Sequence, residues 1–232
     1  MIMAEGIWDS YNSRLNAKGT TKRGVKHKRL SRYIDRKLPH NLSYHTAFVN
    51  GVERELAIIN REHYDLKTVI SLPGEDIDGG SMIEWLDEFW VVVSKDANNE
   101  VYTKVVMQQC NYLLKWIEVI DGEPVVMEQW CYVSDGTKYL TGETPNSYNE
   151  TRTSLGDSRV QMVIAKNEYT SQFSRSSRFI IDDVDFNTKE VLAYRLTKPF
   201  KLTGVFTGQG VYGFVLAEVN TEETDYVSRC YA

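Results

Sequence analysis

The residues able to do chemistry are few, and their spacing does not suit it. The four histidines, His27, His40, His45 and His63, contain no i, i+4 pair, the spacing that puts two imidazoles on one helical face for a metal. Cys110, Cys131 and Cys230 are an odd number at wide separations, which fits thiols rather than a disulfide framework or a zinc ribbon. Two acidic clusters, Glu75 with Asp76 and Asp78, and Asp182 with Asp183 and Asp185, have the residue types for acid–base work or a divalent ion. Both sit in turn-like sequence, where Asp is favoured because its side chain bonds nearby backbone amides. Gly208, Gly210 and Gly213 lead into a strand-like run instead of a helix, so they do not read as a phosphate cradle. No serine nucleophile elbow or P-loop occurs. The inventory therefore points to no catalytic residue, no metal site and no cofactor, and to a protein that makes contacts rather than an enzyme.

The elements that carry these residues fall into two parts. Ile7, Trp8, Tyr11 and Leu15 recur at i, i+1, i+4 and i+8, which places them on one side of a helix over roughly residues 4–17. That stripe suits either the protein's own body or a neighbouring subunit. Between Lys18 and Lys37, nine cations face one acid, Asp35, a net +8 in a chain of net −5, so the remainder carries −13. Such a run is either a solvated arm or a surface for an acidic partner or a phosphate backbone, with Arg23, Lys26, Arg29 and Arg32 as the contact candidates. Leu30, Tyr33, Ile34 and Leu38 suggest a second short helix that Pro39 stops.

From Tyr44 onward, runs of Val, Ile, Phe, Tyr and Thr alternate with Gly-containing turns, the pattern of strands. Asn50-Gly51 joins Tyr44–Val49 to Glu53–Ile59 as a tight hairpin. Met82–Trp85 and Phe89–Lys95 make a second. Val101–Glu118 reads as one strand, with Tyr102, Val106, Cys110, Tyr112, Leu114 and Trp116 on one face. At about 3.3 Å per residue it would exceed roughly 50 Å, so it must bend, bulge or cross between sheets. Val125–Val133 follows, then a loop-like stretch over 134–157, then strands at Val160–Lys166, Arg178–Asp182, Val191–Leu202 and Val211–Val219. The last has apolar residues on both faces and belongs inside the sheet arrangement. Ala57–Asn60 with Met82–Trp85 echoes Met162–Ala165 with Phe179–Asp182, which raises the expectation of two related β-units.

The expected fold is mainly β, a sandwich or barrel-like body behind an N-terminal helix and a basic extended arm. Its expected divisions are 1–40 for the helix and arm, 41–133 for a first β-unit, 134–157 for a long loop and 158–232 for a second β-unit. With 42% hydrophobic residues, the 232-residue chain has enough apolar side chain for a real core. Apolar runs such as Phe89–Val93 are far shorter than the roughly 20 residues that span a bilayer. Met1–Gly6 lacks the basic start and apolar stretch of a secretory signal, so synthesis and folding in a cytoplasm, with no membrane partner, are expected.

Several segments together resemble a known family. They are Trp8-Asp9 with Tyr11 and Arg14-Leu15, then Gly19-Thr20-Thr21-Lys22-Arg23, Asn41-Leu42-Ser43-Tyr44-His45, and Pro73-Gly74-Glu75-Asp76-Ile77. Lys95-Asp96-Ala97-Asn98, Cys110-Asn111-Tyr112-Leu113-Leu114-Lys115-Trp116 and Asp135-Gly136-Thr137-Lys138-Tyr139 complete the set, and the cysteine-led segment is the most distinctive. Over most of its length the chain is similar to virion proteins of tailed bacteriophages of Gram-positive hosts, associated with the head-to-tail joint. The resemblance implies a structural virion protein of the head-tail connector, a head-closure or adaptor ring below the portal that seals packaged DNA and docks the tail. Implied partners are the portal or adaptor ring, tail-side neck proteins, further copies of the chain, and packaged DNA in the channel. The implied location is the head-tail junction of the virion. No catalytic motif comes with it. The alternatives are another tail or capsid-associated structural protein, a nucleic-acid-binding protein using Lys18–Lys37, and a metal-dependent hydrolase using Glu75, Asp76 and Asp78.

Overall fold

A computed structural model describes residues 5–16, 21–96, 100–120, 122–135, 159–181, 193–206 and 208–220. Among the described residues two helices, α1 (Glu5–Asn16) and α2 (Lys22–Lys37), precede twelve strands. The first six are β1 (Tyr44–Val49), β2 (Val52–Asn60), β3 (Leu66–Ser71), β4 (Met82–Trp85), β5 (Glu88–Lys95) and β6 (Lys104–Gln109). They form a closed antiparallel barrel in the order β1-β2-β3-β6-β5-β4, shut by the pairs Phe48↔Glu84 and Val49↔Ile83. The second six are β7 (Tyr112–Ile120), β8 (Glu123–Asp135), β9 (Arg159–Ala165), β10 (Arg178–Ile180), β11 (Ala193–Phe206) and β12 (Gln209–Val219). Their order, β7-β8-β9-β12-β11-β10, retraces the path of the first sheet strand for strand. Among the described residues no ladder joins β7 to β10. The Tyr112 hydroxyl donates across that seam to the Ile180 carbonyl at 3.0 Å.

The mainly β, barrel-like architecture with a helical N-terminus is thus as expected, and its two units share one topology. The echo noted in the sequence is half right. β4 and β10, which carry its second half, occupy equivalent places. Ala57–Asn60 and Met162–Ala165 do not, because the counterpart of β2 is β8 and that of β9 is β3.

Turn chemistry accounts for the hairpins. Asn50 and Gly51 take φ of 50° and 77°, the left-handed pair that a two-residue hairpin needs. Leu86 and Asp87 do the same work at 53° and 62° without a glycine, joining Trp85 to its partner Glu88. Each unit has its own core. Ile58, Val69, Ile83, Trp90, Val105 and Met107 fill the barrel. Leu114, Met162, Ile164, Phe173, Phe214 and Leu216 fill the second unit. β12 lies between β11 and β9, an inner strand as its two apolar faces require.

Three expectations are corrected here. The units divide at Cys110–Asn111, not at 134–157, so β7 and β8 belong to the second sheet. The Cys110 amide still donates to Phe89 in β5 at 2.8 Å, and the next amide, of Asn111, already donates to Cys131 in β8 at 3.1 Å. Asn111 then extends the new ladder with its side chain: its Nδ2 donates to the Val133 carbonyl and its Oδ1 accepts from the Val133 amide, both at 2.7 Å. The long strand therefore crosses between sheets, one of the three outcomes its length demanded. Its continuous face is lost in the crossing, since the barrel core takes Val105 and Met107 rather than Tyr102 and Val106. The stretch read as an inter-unit loop lies inside the second unit, between β8 and β9, and residues 136–158 are outside the described set.

The third correction concerns the arm: the second helix expected around Leu30–Leu38 is present, but it begins at Lys22, so the basic segment before Leu30 is helical rather than extended. Thr21, with extended φ and ψ, caps α2 by accepting the Gly24 amide at 3.1 Å. Lys and Arg are good helix formers, so the cations that looked like a solvated run sustain 16 helical residues until Pro39.

The two units meet on an apolar contact of Val91, Cys110, Ala165 and Val211, with Phe89 stacked on Trp130 at 4.7 Å between ring centres. Beside it the backbones nearly touch. A Cβ on Gly80, whose φ is +81°, would lie 2.1 Å from the Gly210 carbonyl oxygen, so only glycine fits.

Candidate interaction surface

The geometry of α2 sorts its residues into two opposed stripes. Gly24, His27, Ser31, Ile34 and Leu38 recur at i, i+3, i+7, i+10 and i+14 and are all half-buried. Lys22, Lys26, Arg29, Tyr33 and Arg36 recur at i, i+4, i+7, i+11 and i+14 on the opposite side and are all exposed. Arg32 flanks this outer stripe. The helix is held in place at both ends. Arg23 makes an ion pair with Glu100, and His27 Nε2 lies 3.0 Å from the Glu100 carbonyl. At the other end a 3-10 turn over Leu38–His40 leads within a few residues into β1, where the Tyr44 amide donates to Asn41 at 3.0 Å. Both partners of the Arg23 pair are largely exposed, so it contributes at most about 1 kcal/mol and acts chiefly to orient the helix.

The expected contact residues therefore separate. Arg23 is committed to Glu100. Lys26, Arg29 and Arg32 are exposed, and no ion pair engages them among the described residues. Trp8 and Tyr11 on α1 are 64% and 55% exposed and touch each other edge to face, with ring centres 5.9 Å apart. The Leu15 side chain lies outside the described set. Tyr33, grouped at the sequence level with Leu30, Ile34 and Leu38, is instead 61% exposed at the middle of the basic stripe, a face to which neither it nor Lys22 and Arg36 had been assigned. Reading Thr21 as a cap and counting by helical turns from Lys22 would have found all three.

In the acidic loop Asp76 and Asp78 are engaged by hydrogen bonds, whereas Glu75 Oε2 is buried with no hydrogen-bond partner among the described residues. Ile77, 1% exposed, plugs the barrel, and its neighbours Asp76 and Asp78 are hydrogen-bonded. Lys95 Nζ donates to Asp76 at 2.8 Å and to Asp78 at 3.0 Å, and Thr103 Oγ1 donates to Asp76 at 2.7 Å. Hydrogen bonds from Lys95, then Thr103, outweigh burial and hold the Asp76 carboxyl below its ordinary range. Burial lowers the Lys95 ammonium, but bonds to Asp76 and Asp78 outweigh it and the net shift is upward. The cations, hydroxyls and amides that a metal would displace already occupy this carboxylate. Asp182, Asp183 and Asp185 lie outside the described residues.

Cys110 and Cys131 are buried, Cys110 between the units and Cys131 in the second core. Burial raises the Cys110 thiol to about 12 and the Cys131 thiol further still, so neither supplies a thiolate near neutral pH. Tyr44 is raised to about 12 by burial and by donating to Glu55 at 2.8 Å. The arrangement offers a cationic, aromatic-centred helix face and an exposed aromatic pair, both suited to binding another macromolecule. Comparison with protein-family models, with characterised proteins and with solved structures finds no match to this chain.

Proposed function

We propose that this chain is a structural virion protein of the phage head-tail connector, a ring subunit between portal and tail that seals packaged DNA and docks the tail. Supporting it is the resemblance of the motifs above. The observation that carries most weight is the two-stripe α2, which bonds to Glu100 from one side and presents Lys26, Arg29, Tyr33 and Arg36 on the other. A side chain exposed in the isolated chain and repeated on a rigid helix is the kind of element that a head-to-tail ring contact uses. In this reading the chain does no chemistry, and α1 with Trp8 and Tyr11 docks on a neighbour in the particle.

The test is disruption of the gene in the phage that carries it, with particles examined by electron microscopy. DNA-packed heads and finished tails that fail to join are expected, together with the chain at the joint of wild-type particles. Absence of the chain from purified particles, or normal joining without it, overturns the reading. A second reading, binding to a phosphate backbone, rests on the same cations, which no ion pair engages among the described residues. It predicts an affinity for duplex DNA that falls linearly on a log-log salt plot, and retention that is lost in Arg29→Ala with Arg32→Ala.

A further inference from the structure

The outer face of the barrel holds a patch that matches the basic stripe in sign and spacing. Phe48 in β1 is 43% exposed and is flanked in register by Glu53 of β2 on one side and Glu84 of β4 on the other. Side chains directly opposite in register point to the same face, so the three form a row, Glu53-Phe48-Glu84, across three strands. At a strand spacing of about 4.8 Å the two carboxylate-bearing positions lie roughly 9.6 Å apart with the phenyl ring between them. On α2, Arg29, Tyr33 and Arg36 form the reciprocal row, two cations about 10.5 Å apart at 1.5 Å per residue, with an aromatic ring between. Glu53 and Glu84 are exposed, and no ion pair engages them among the described residues.

The two rows do not meet within one chain here. Arg23 and His27, on the other side of α2, bond to Glu100, and among the described residues no ion pair joins Arg29 or Arg36 to Glu53 or Glu84. We propose that Arg29-Tyr33-Arg36 of one copy docks on Glu53-Phe48-Glu84 of the next, Arg against Glu at both ends and Tyr33 against Phe48 at the centre. Different surfaces of the two copies meet, so the contact is head-to-tail and propagates to a ring or filament. The choice of a second copy as occupant rests on the ring reading above, and on the presence of both complementary rows in the same chain.

Sedimentation velocity of the full chain at low and high salt tests the contact. Association that grows with concentration at low salt and weakens at high salt is expected. Arg29→Glu with Arg36→Glu, or Glu53→Arg with Glu84→Arg, should each weaken association by on the order of tenfold or more, while melting as the wild type because all four sites are exposed. An equal mixture of the two reversed chains, and a single chain carrying all four reversals, should associate again. The proposal is overturned by a wild type that stays monomeric at every concentration in low salt, or by reversed chains that associate normally. It is also overturned if the arginine reversal abolishes retention on duplex DNA and leaves association intact, since the stripe then serves phosphate. The ring reading fails on a separate result, absence of the chain from particles, and would survive loss of this contact.

Discussion

Replacing Trp8 and Tyr11 together with Ala tests whether α1 belongs to its own body or to a neighbour. Trp8 is 64% and Tyr11 55% exposed, so the isolated chain loses mainly the edge-to-face contact between them. Such a pair contributes about 0.5–1.5 kcal/mol. For a chain of this size that corresponds to a fall in melting temperature of at most about 6 °C if α1 unfolds with the body. It is less if α1 frays alone, as expected of a 12-residue helix, which is marginal by itself. Docking on a neighbour is another matter. Side chains of this class bury about 150–250 Å² each, so covering the exposed part at about 25 cal/mol per Å² contributes about 2–4 kcal/mol per ring. The double variant should therefore melt nearly as the wild type in calorimetry and fail to enter assembled particles. A main transition lowered well beyond about 6 °C would refute the argument, because the rings would then be supporting the body itself.

Three further outcomes follow from the barrel and its contact with the second unit. Gly80→Ala forces a Cβ to 2.1 Å from the Gly210 carbonyl oxygen at a positive φ, so it should destabilise the chain by about 3 kcal/mol or more, read as a lowered denaturation midpoint. Leu86→Asn with Asp87→Gly relieves two left-handed L-residues in the β4–β5 turn and should stabilise by about 1–2 kcal/mol, a gain of several degrees in melting temperature. The Lys95 network has a limb at each end of the pH scale. The lowered Asp76 stabilises fully above its unfolded value of 3.8 and loses that contribution as pH falls through its folded value. The raised Lys95 stabilises fully below 10.5 and loses its contribution as pH rises through its folded value. Lys95→Met should flatten both limbs of stability against pH, and unchanged limbs would remove this network from the account.

The local rules that made the β-units legible are turn chemistry and alternation. Asn50-Gly51 announces its hairpin, and the doubled apolar faces of Val211–Val219 announce an inner strand. Neither rule sees where one sheet hands over to the next. Val101–Glu118 is a run of uniformly strand-like residues, and the change of partner occurs between the amides of Cys110 and Asn111 with no glycine or proline to mark it. The residue that manages the change is Asn111, whose amide side chain imitates one more peptide of the ladder. Asn in a strand reads as a weak strand former until its partner, Val133, is known.

The proposed contact surface was legible in one half only. The cations of α2 stood out by charge, but the same charge suggested a solvated arm, and reading a helix only around Leu30–Leu38 hid the face shared by Arg29, Tyr33 and Arg36. The acidic row was out of reach for a different reason. Glu53 and Phe48 are brought together by a hairpin that the sequence declares, whereas Glu84 joins them only because β1 pairs with β4 to close the barrel. Closure is a property of six strands at once, of their tilt and stagger, and no window of residues contains it. A surface assembled across the closing seam is therefore visible only after the topology is known, while a surface carried on one helix can be read from the sequence once the cap that starts the helix is recognised.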